Sequence, residues 1–564
     1  SEPTHVHIRV LFTTKHRFAT PLYKMERVSD LQSFGHETKD EINWNVFHDS
    51  ISDSNPGLRR LYTDKFTYPY NIEQTRMNTD PFVRKSMKLW DIDEYRSIYG
   101  KTKRADLAVG LEAFKNNFGK HQKEKHNMPH DIRQCYDRAV KLAIQTFTPS
   151  ERLKRLSVPN VCDTMNLNSS AGFSFPGKKK SEVVEEAYDT ASYMAHMIGA
   201  GRHVYVPPCK LALRGHLTDV EEPKTRPVWV YPFEVTILEG KWAIPFYDHL
   251  EKNVPAVFFG EDSMKKLAKL MMTDIASHSE CVEVTLDWSN YDGSLPNFII
   301  DDCFDIIFSS FDEQFTEHDG DDVFGGKKME KKNLFVRDWI KTYFKKTKMM
   351  LPDGSMYNKF HGIPSGSYFT QSVGSIANWI INKTLDLFFG WQAQKLRVLG
   401  DDSKFLIPNG AGKVASGLVT DASWRGFGIT LKTAKLRIAN KQSERKFLGY
   451  QSNAYRYERP THEWMSMVLH PEHDVQFLEQ SASRVFAYYL LGGCNDATYC
   501  DFFRDYLGRY PIIFGRTLPL TKGLKRLFTY VLRMPIDSFV FPDLTSFDPL
   551  SVPFSLSLGD KPFG

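Results

Sequence analysis

The stretch "KLRVLGDDSKFLIP", Lys395 to Pro408, sets Asp401 and Asp402 side by side between two short apolar runs. Gly-Asp is favourable turn chemistry, so the stretch predicts a hairpin with strands over 396–399 and 403–407. Adjacent carboxylates repel, and each resists ionisation unless a cation lies between them. A solvated hairpin tip is the plain alternative. What the fold brings beside the turn decides between the two.

Upstream, "CVEVTLD" (281–287) alternates, with Val282, Val284 and Leu286 on one face. This predicts a half-buried strand ending at Asp287. Asp292 follows in "DWSNYD", and after Gly293-Ser294 a helix opens at Pro296 and runs to about Phe308. "KMMLPDGSMYNKF" (348–360) predicts a hairpin around Pro352-Asp353-Gly354, "GIPSGSYF" a loop, and 370–389 one long helix. "GFGITLK" and "RKFLGYQS" add strand-like runs. Strands and helices mixed with hairpin connections give an α+β fold with an antiparallel sheet. Such a sheet can bring Asp287 beside the turn, so that Asp287, Asp401 and Asp402 converge. Oxygen-only ligands suit magnesium, and two such ions about 3.5–4 Å apart serve phosphoryl transfer. Asp-x4-Asp alone is weak, because 68 acidic residues make chance matches common. The ordered set, with a Ser-Gly loop and a long helix between, is far more specific.

At 564 residues the chain exceeds a single core and predicts several subdomains. The formal net charge of +5 is too mild to announce a nucleic-acid partner, so local charge must be read. The seven cysteines form no CxxC pair, which argues against a disulfide framework or a cysteine zinc site. No apolar run approaches a membrane span, so no membrane partner is expected. "YTDKFTYPYN" (62–71) reads as a turn-rich surface, and 178–201 as a helix ending at Gly199 or Gly201. "HNMPH" lacks metal-motif spacing and reads as solvated histidines.

"DWSNYD", "GIPSGSYFTQSVGSIANWI" and "LGDDS", in this order, resemble the palm signatures of viral RNA-dependent RNA polymerases. "PSGSYFTQ" with "LGDDS" is most similar to the enzymes of partitiviruses, which have double-stranded RNA genomes, with picobirnaviruses second. The resemblance implies a right-hand polymerase: an N-terminal extension over 1–100 bridging fingers and thumb, fingers over 101–275 and 301–350, palm over 276–300 and 351–450, and a thumb with an irregular tail over 451–564. It implies replication and transcription of the viral genome by two-metal-ion nucleotidyl transfer. Two Mg²⁺ ions are the expected cofactors, with Mn²⁺ able to substitute. RNA template and product, ribonucleoside triphosphates and a viral capsid protein are the expected partners, and the virion interior and host cytoplasm the expected locations.

The resemblance also assigns residues. Asp287 and Asp401 become the principal metal ligands, with Asp402 in support. Asp292 receives the ribose 2′-hydroxyl, which points to ribonucleotides. Ser365 and Thr370 match the pattern SGxxxTxxxN, but Gly374 stands where its asparagine belongs, and Asn378, one turn further, is the substitute ribose contact. "EEPKTRPVWV" resembles the finger segment that holds the triphosphate, through Arg226 and Lys224, with Lys210 and Arg214 as further RNA contacts. "NSSAGFSFPGKKK" (168–180) resembles the loop that admits the template: Ser170 and Gly172 allow close passage, and Lys178, Lys179 and Lys180 meet phosphates. Basic 327–348, interleaved with Phe335, Trp339, Tyr343 and Phe344, reads as a helix with an RNA-facing side. Lys435, with Lys432 as rival, is the general acid for the leaving pyrophosphate. "KFLGYQ" (446–451) resembles a primer-gripping hairpin. A reverse transcriptase and a catalytically silent RNA-binding virion protein are the rival readings.

Overall fold

An antiparallel four-stranded sheet lies under the hairpin that carries Asp401 and Asp402, in the order Gln394–Leu399, Asp402–Pro408, Cys281–Leu286, Arg437–Ala439. The computed structural model describes residues 42–51, 56–68, 78–87, 102–103, 107–219, 224–258, 280–316, 327–412, 414–439, 446–453, 456–519 and 539–541. By compactness the chain divides into Ser1–Asn43 and Trp44–Gly564. Only residues 42 and 43 of the first unit are described, and they carry no regular element. Every helix and strand described belongs to the second unit. The C-terminal tail beyond 541 lies outside the described residues, as do 69–71 of the aromatic stretch read as a surface.

The predicted elements around the turn form where expected: helices Asn297–Ser309 and Thr370–Phe389, and the hairpin of Lys348–Met350 with Ser355–Lys359. That last hairpin belongs to a second, five-stranded sheet, in the order Leu58–Thr63, Ser355–Lys359, Lys348–Met350, Cys209–Gly215, Thr225–Val230. The helix Thr370–Phe389 is buried on nearly every side, with Ser372, Ser375, Asn378 and Asn382 buried among its apolar residues. It packs on the four-stranded sheet and on helix His130–Phe147, where Phe147 meets Trp379 edge-on at 5.6 Å.

A third core joins helices Thr461–Leu469, Leu478–Leu490 and Ala497–Arg509 around Trp464, Phe486, Tyr499 and Phe502. The short helix Pro81–Met87 inserts Val83 and Met87 into it. Asp80 fastens that insertion. It accepts from the backbone N–H of Phe82 and Val83, from Arg484 Nη1 at 2.7 Å and from Ser481 Oγ at 2.9 Å. Residues 58–63 thus contribute to the five-stranded sheet and 81–87 to this helical core.

Two expectations change. The strand Cys281–Leu286 is covered on both faces rather than half-buried. Val284 and Leu286 share a face with Ser403 and Phe405, as the alternation predicts. On the other face Glu283 is buried and binds the equally buried Lys404 at 2.9 Å, beside Phe447 of the hairpin built from Lys446–Phe447 and Tyr450–Asn453. Alternation marks the polar face but not the partner that closes over it. The stretch at 62–71 is likewise not all surface. Tyr68 is buried, and its hydroxyl donates to Met350 O at 2.7 Å with Leu211 O also in reach at 3.0 Å. All seven cysteines are free. Among the described residues no helix is long and apolar enough to cross a membrane.

Removing one partner of a buried pair strands the other charge, so Glu283→Ala should lower stability by about 3–5 kcal/mol. The double variant Glu283→Leu/Lys404→Met should cost markedly less. Urea denaturation of the three proteins measures the difference.

Candidate active site

Strand register places the carboxylates. Ser403 lies opposite Leu286, so Asp287, just past the end of one strand, is next to Asp402, where the other begins. Leu399 lies opposite Asp402, which leaves Gly400 and Asp401 as the two-residue turn. Gly400 has φ +61°, and Asp401 does not have positive φ, the arrangement of a type II′ turn with glycine at the first central position. On the far side, Thr430–Leu431 pairs with Trp288–Ser289, and the Lys432 N–H donates to the Asp287 carbonyl at 2.9 Å. That pairing delivers two ammonium groups to one carboxylate: Lys432 Nζ is 2.8 Å from Asp287 Oδ1, and Lys435 Nζ is 3.3 Å from Oδ2.

The charges here form one electrostatic set. Burial, then repulsion from Asp401 and Asp287, pushes the Asp402 carboxyl up to about 6 against the pull of Lys432 and Arg226. Asp292 rises to about 6 as well. Desolvation by the surrounding protein, then repulsion from Asp401, raises it, while Arg226 and Lys224 oppose the rise, although the residue keeps an exposed face. Lys224 is pulled down to about 8 by desolvation, then by Arg226, Lys432 and Lys435, with Asp401 opposing. Carboxylates from two strands of one sheet therefore face cations from the second sheet and from the segment after the hairpin.

The oxygen-only donor set and its mutual repulsion fit a hard divalent cation. The expected convergence of three carboxylates on one point is not met as such. Among the described residues no group of three acidic, histidine or cysteine side chains gathers at ligating distance. Asp287 instead leans onto its two lysines.

The Ser-Gly loop is pressed against the strand Thr225–Val230. Ser365 Oγ accepts from the Trp229 N–H at 3.1 Å, and a Cβ on Gly366 would lie 1.7 Å from the Trp229 carbonyl oxygen, so no other residue fits there. Ser365 itself is exposed to the cleft. Arg226 is exposed on the same strand, directly across from Arg214. Arg214 contacts Glu472 at 3.4 Å, and Lys210 lies over the Tyr68 ring at 4.3 Å.

Two assignments need correction. Asn378 is not at the cleft surface. It is fully buried, and all its hydrogen-bonding capacity is taken. Its Oδ1 accepts from Trp288 Nε1 and Asn382 Nδ2, both at 2.8 Å, and its Nδ2 donates to the carbonyls of Gly400 (2.9 Å) and Asp402 (3.1 Å). It holds the turn and has nothing left for a ribose. Thr370 is half-buried, and its hydroxyl is engaged: the carbonyls of Pro364 (2.7 Å) and Ser367 (2.8 Å) are its acceptors, bracing the loop onto the helix.

The loop 168–180 folds back on itself, with Ser170 bridged to Lys179 and Ser170 Oγ accepting from the Gly172 N–H. Gly172 abuts the Tyr231 carbonyl. Lys178 and Lys179 point to solvent, whereas Lys180 lines a cavity of about 430 Å³ together with Ser365, Gly366 and Gln371. The basic helix forms over Lys327–Lys345, but Lys341 and Lys345 pair with Asp301 and Asp305, and Arg337 with Glu313, so its basic side is partly neutralised.

Sequence reading missed Ser375, whose Oγ accepts from the Gly400 N–H at 2.9 Å, and Glu239, buried against the Ser-Gly loop. A glutamate inside the apolar run "VTILEGKWAIPF" was the available signal for the second.

Residues 93–509 match the family model described as viral RNA-dependent RNA polymerase. The RNA-directed RNA polymerase of Cryptosporidium parvum virus 1 is 28% identical over 230 residues, 40% of each chain. That of Atkinsonella hypoxylon virus is 20% identical over 303 residues, 48% of this chain and 45% of its own. The chain thus spans less than half the length of these curated relatives. A solved structure, the insertion loop deletion mutant of the RNA-dependent RNA polymerase of a human picorbirnavirus, superposes with TM-score 0.56 at 14% identity, over 77% of this chain and 87% of that one. That likeness is one of fold.

The two kinds of residue at this site separate by stability. Asn378→Ala strands the Trp288 donor and two turn carbonyls, and should cost about 2–3 kcal/mol. Asp292→Asn, at the open cleft, relieves repulsion with Asp401 and should leave stability unchanged or slightly raised. Thermal unfolding midpoints of the two variants beside the wild type check both.

Proposed function

This chain belongs to the viral RNA-dependent RNA polymerase family, and from that premise we propose that it extends RNA from ribonucleoside triphosphates on an RNA template. We further propose that it both replicates and transcribes a double-stranded RNA genome, inside the virion and in the host cytoplasm, beside capsid protein. The observation that carries the polymerase reading is the register that sets Asp287 beside the Gly400-Asp401 turn, opposite Lys224 and Arg226. We assign the four-stranded sheet to the palm, the five-stranded sheet and its helices to the fingers, and the helical core of 461–518 to the thumb, with 58–63 in the fingers sheet and 81–87 in the thumb core.

In the reaction an RNA 3′-hydroxyl attacks the α-phosphate. The bond from that phosphorus to the bridging oxygen breaks, and pyrophosphate leaves. Asp287, Asp401 and Asp402 would hold two divalent cations, Mg²⁺ or Mn²⁺ in its place, which supply positive charge at the attacking and leaving oxygens. Arg226 forks onto phosphate oxygens, and Lys224 adds a point charge. Asp292 accepts a hydrogen bond from the ribose 2′-hydroxyl, with Ser365 beside it on the loop. Lys435 protonates the departing pyrophosphate. Its greater exposure (58% against 32% for Lys432) and longer contact with Asp287 leave it freer to reach the leaving group. Asn378 and Thr370 are positioning residues. Lys180, Ser170 and Gly172 guide the template, while Lys178, Lys210 and Arg214 meet RNA further out.

Incorporation of ribo- and deoxyribonucleotides on an RNA template, with Mg²⁺ or with chelator, tests the reading. Wild type should incorporate ribonucleotides only with the metal, and Asp401→Asn should fall at least about 10²–10³-fold. Asp292→Ala, which removes the acceptor, should lose preference for ribonucleotides. RNA binding without metal-dependent synthesis would identify a silent binding protein, and equal use of deoxyribonucleotides by wild type would remove the role of Asp292. Lys435→Ala should slow the chemical step more than Lys432→Ala; the reverse order reassigns the acid.

A further inference from the structure

The helix Phe233–Asn253 runs behind the Ser-Gly loop and holds it with buried polar groups. Glu239 is entirely buried. Its Oε1 accepts from Ser367 Oγ at 2.8 Å, and its Oε2 accepts from the Tyr368 N–H at 2.7 Å. Two turns on, the Tyr247 hydroxyl donates to the Tyr368 carbonyl at 2.7 Å and accepts from the Ser372 N–H at 3.0 Å. Ser367 in turn accepts from the Phe369 N–H. The backbone of 367–372 is therefore gripped from one side by this helix. On the other side, Ser365 and Gly366 are pressed onto Trp229, a few residues before the same helix begins.

A carboxylate is an unusual choice for such a place. Burial pushes Glu239 up to about 8, against the hydrogen bonds from Tyr368 and Ser367 and the charge of Lys180. Lys180, pulled down to about 8 by its own desolvation, has Glu239 as its opposing charge. Lys180 lines the cavity that opens onto Ser365, Ser367, Tyr368 and Thr370. An apolar side chain at 239 would leave the Tyr368 N–H and Ser367 hydroxyl without acceptors, a penalty that the loop could relieve only by moving. A loop that moves takes Ser365 with it, because one residue separates Ser365 from Ser367.

We propose that Glu239 is a positioning residue for ribose selection: by accepting from both Ser367 and Tyr368 it fixes the Ser-Gly loop, and with it Ser365, two residues after Ile363, whose N–H donates to the Asp292 carbonyl at 2.6 Å. The inference rests on the polymerase reading and deepens it. Glutamine at 239 can still accept from the Tyr368 N–H through its carbonyl and donate to Ser367 Oγ, which has a second lone pair. The geometry, not the charge, is the requirement.

Ribo- against deoxyribonucleotide kcat/KM, with kcat and KM resolved separately, is measured for wild type, Glu239→Ala, Glu239→Gln, Ser367→Ala and, as a control, Val485→Ala in the remote helical core. Glu239→Ala should reduce the ribose preference about tenfold, mostly through ribonucleotide KM, on the scale that small misplacements of a substrate-positioning group produce. Glu239→Gln should stay within about threefold of wild type, and Ser367→Ala should fall between. Val485→Ala should lower the unfolding midpoint and leave the preference alone. If Glu239→Ala does not fold, Ser367→Ala decides by the same ratio. A wild-type ratio in the deciding variant, a Glu239→Gln value as low as that of Glu239→Ala, or an equal shift in Val485→Ala overturns the inference while leaving the polymerase reading in place. A wild-type chain that makes no RNA removes both.

Discussion

With Ser403 opposite Leu286, Asp287, Asp401 and Asp402 occupy one edge of the sheet. Side chains alternate along a strand, so a slip of one residue would turn every contact to the other face. Two features make that slip costly. On one face, Lys404 sits diagonally across from Glu283 and binds it; a slip would drive the lysine into the apolar side occupied by Val284 and Leu286. On that apolar side, Asn378 grips the carbonyls of Gly400 and Asp402 from the long helix. A buried ion pair adds little net stability over apolar packing, but it discriminates strongly between registers. Here that discrimination is what the acidic edge needs.

The acidic edge is electrostatically unfavourable by itself, and the surrounding chain offsets it in two ways. Arg226 and Lys224 bring positive charge from the five-stranded sheet, and Lys432 and Lys435 bring it from the segment that returns beside Trp288. The lysines on Asp287 hold it in the absence of other cations. Lys224 is depressed first by its own desolvation and then by the neighbouring cations Arg226, Lys432 and Lys435, with Asp401 opposing. The site is thus a balance of opposed charges from different elements.

Much of this was readable in the sequence. The hairpin, its turn, the strand into Asp287 and the long helix depend on local periodicity and turn chemistry, and they form where those rules put them. What escaped was the role of interior polar residues. Asn378, one turn beyond Gly374, looked like a displaced ligand; only the approach of Trp288 and the Gly400 turn shows that its amide is already engaged. Thr370 fits a motif whose chemistry points outward, yet its hydroxyl closes the loop. Glu283 carries the period of a solvent face, and Tyr68 sits in a stretch rich in turn residues; both are covered by segments distant in sequence. Periodicity reports which face a residue takes. It does not report what comes to meet that face.

There is a physical reason why those interior residues are polar. The groups proposed to face substrate lie on a two-residue turn and on a loop, where the backbone has little ladder or helix to satisfy it. The Gly400 N–H and C=O and the Tyr368 N–H lie at such places, the Asp402 carbonyl lies at the first pair of the ladder, and buried backbone groups without partners are costly. Side chains from two buried helices supply the partners: Ser375 and Asn378 for the turn, Glu239 and Tyr247 for the loop. An apolar residue at any of these positions would pack as well but would leave the loop or turn free to choose another conformation. Rigid presentation of Asp401 and Ser365 therefore requires polar groups in the core, and the fold accepts that cost in both of the helices that back the cleft.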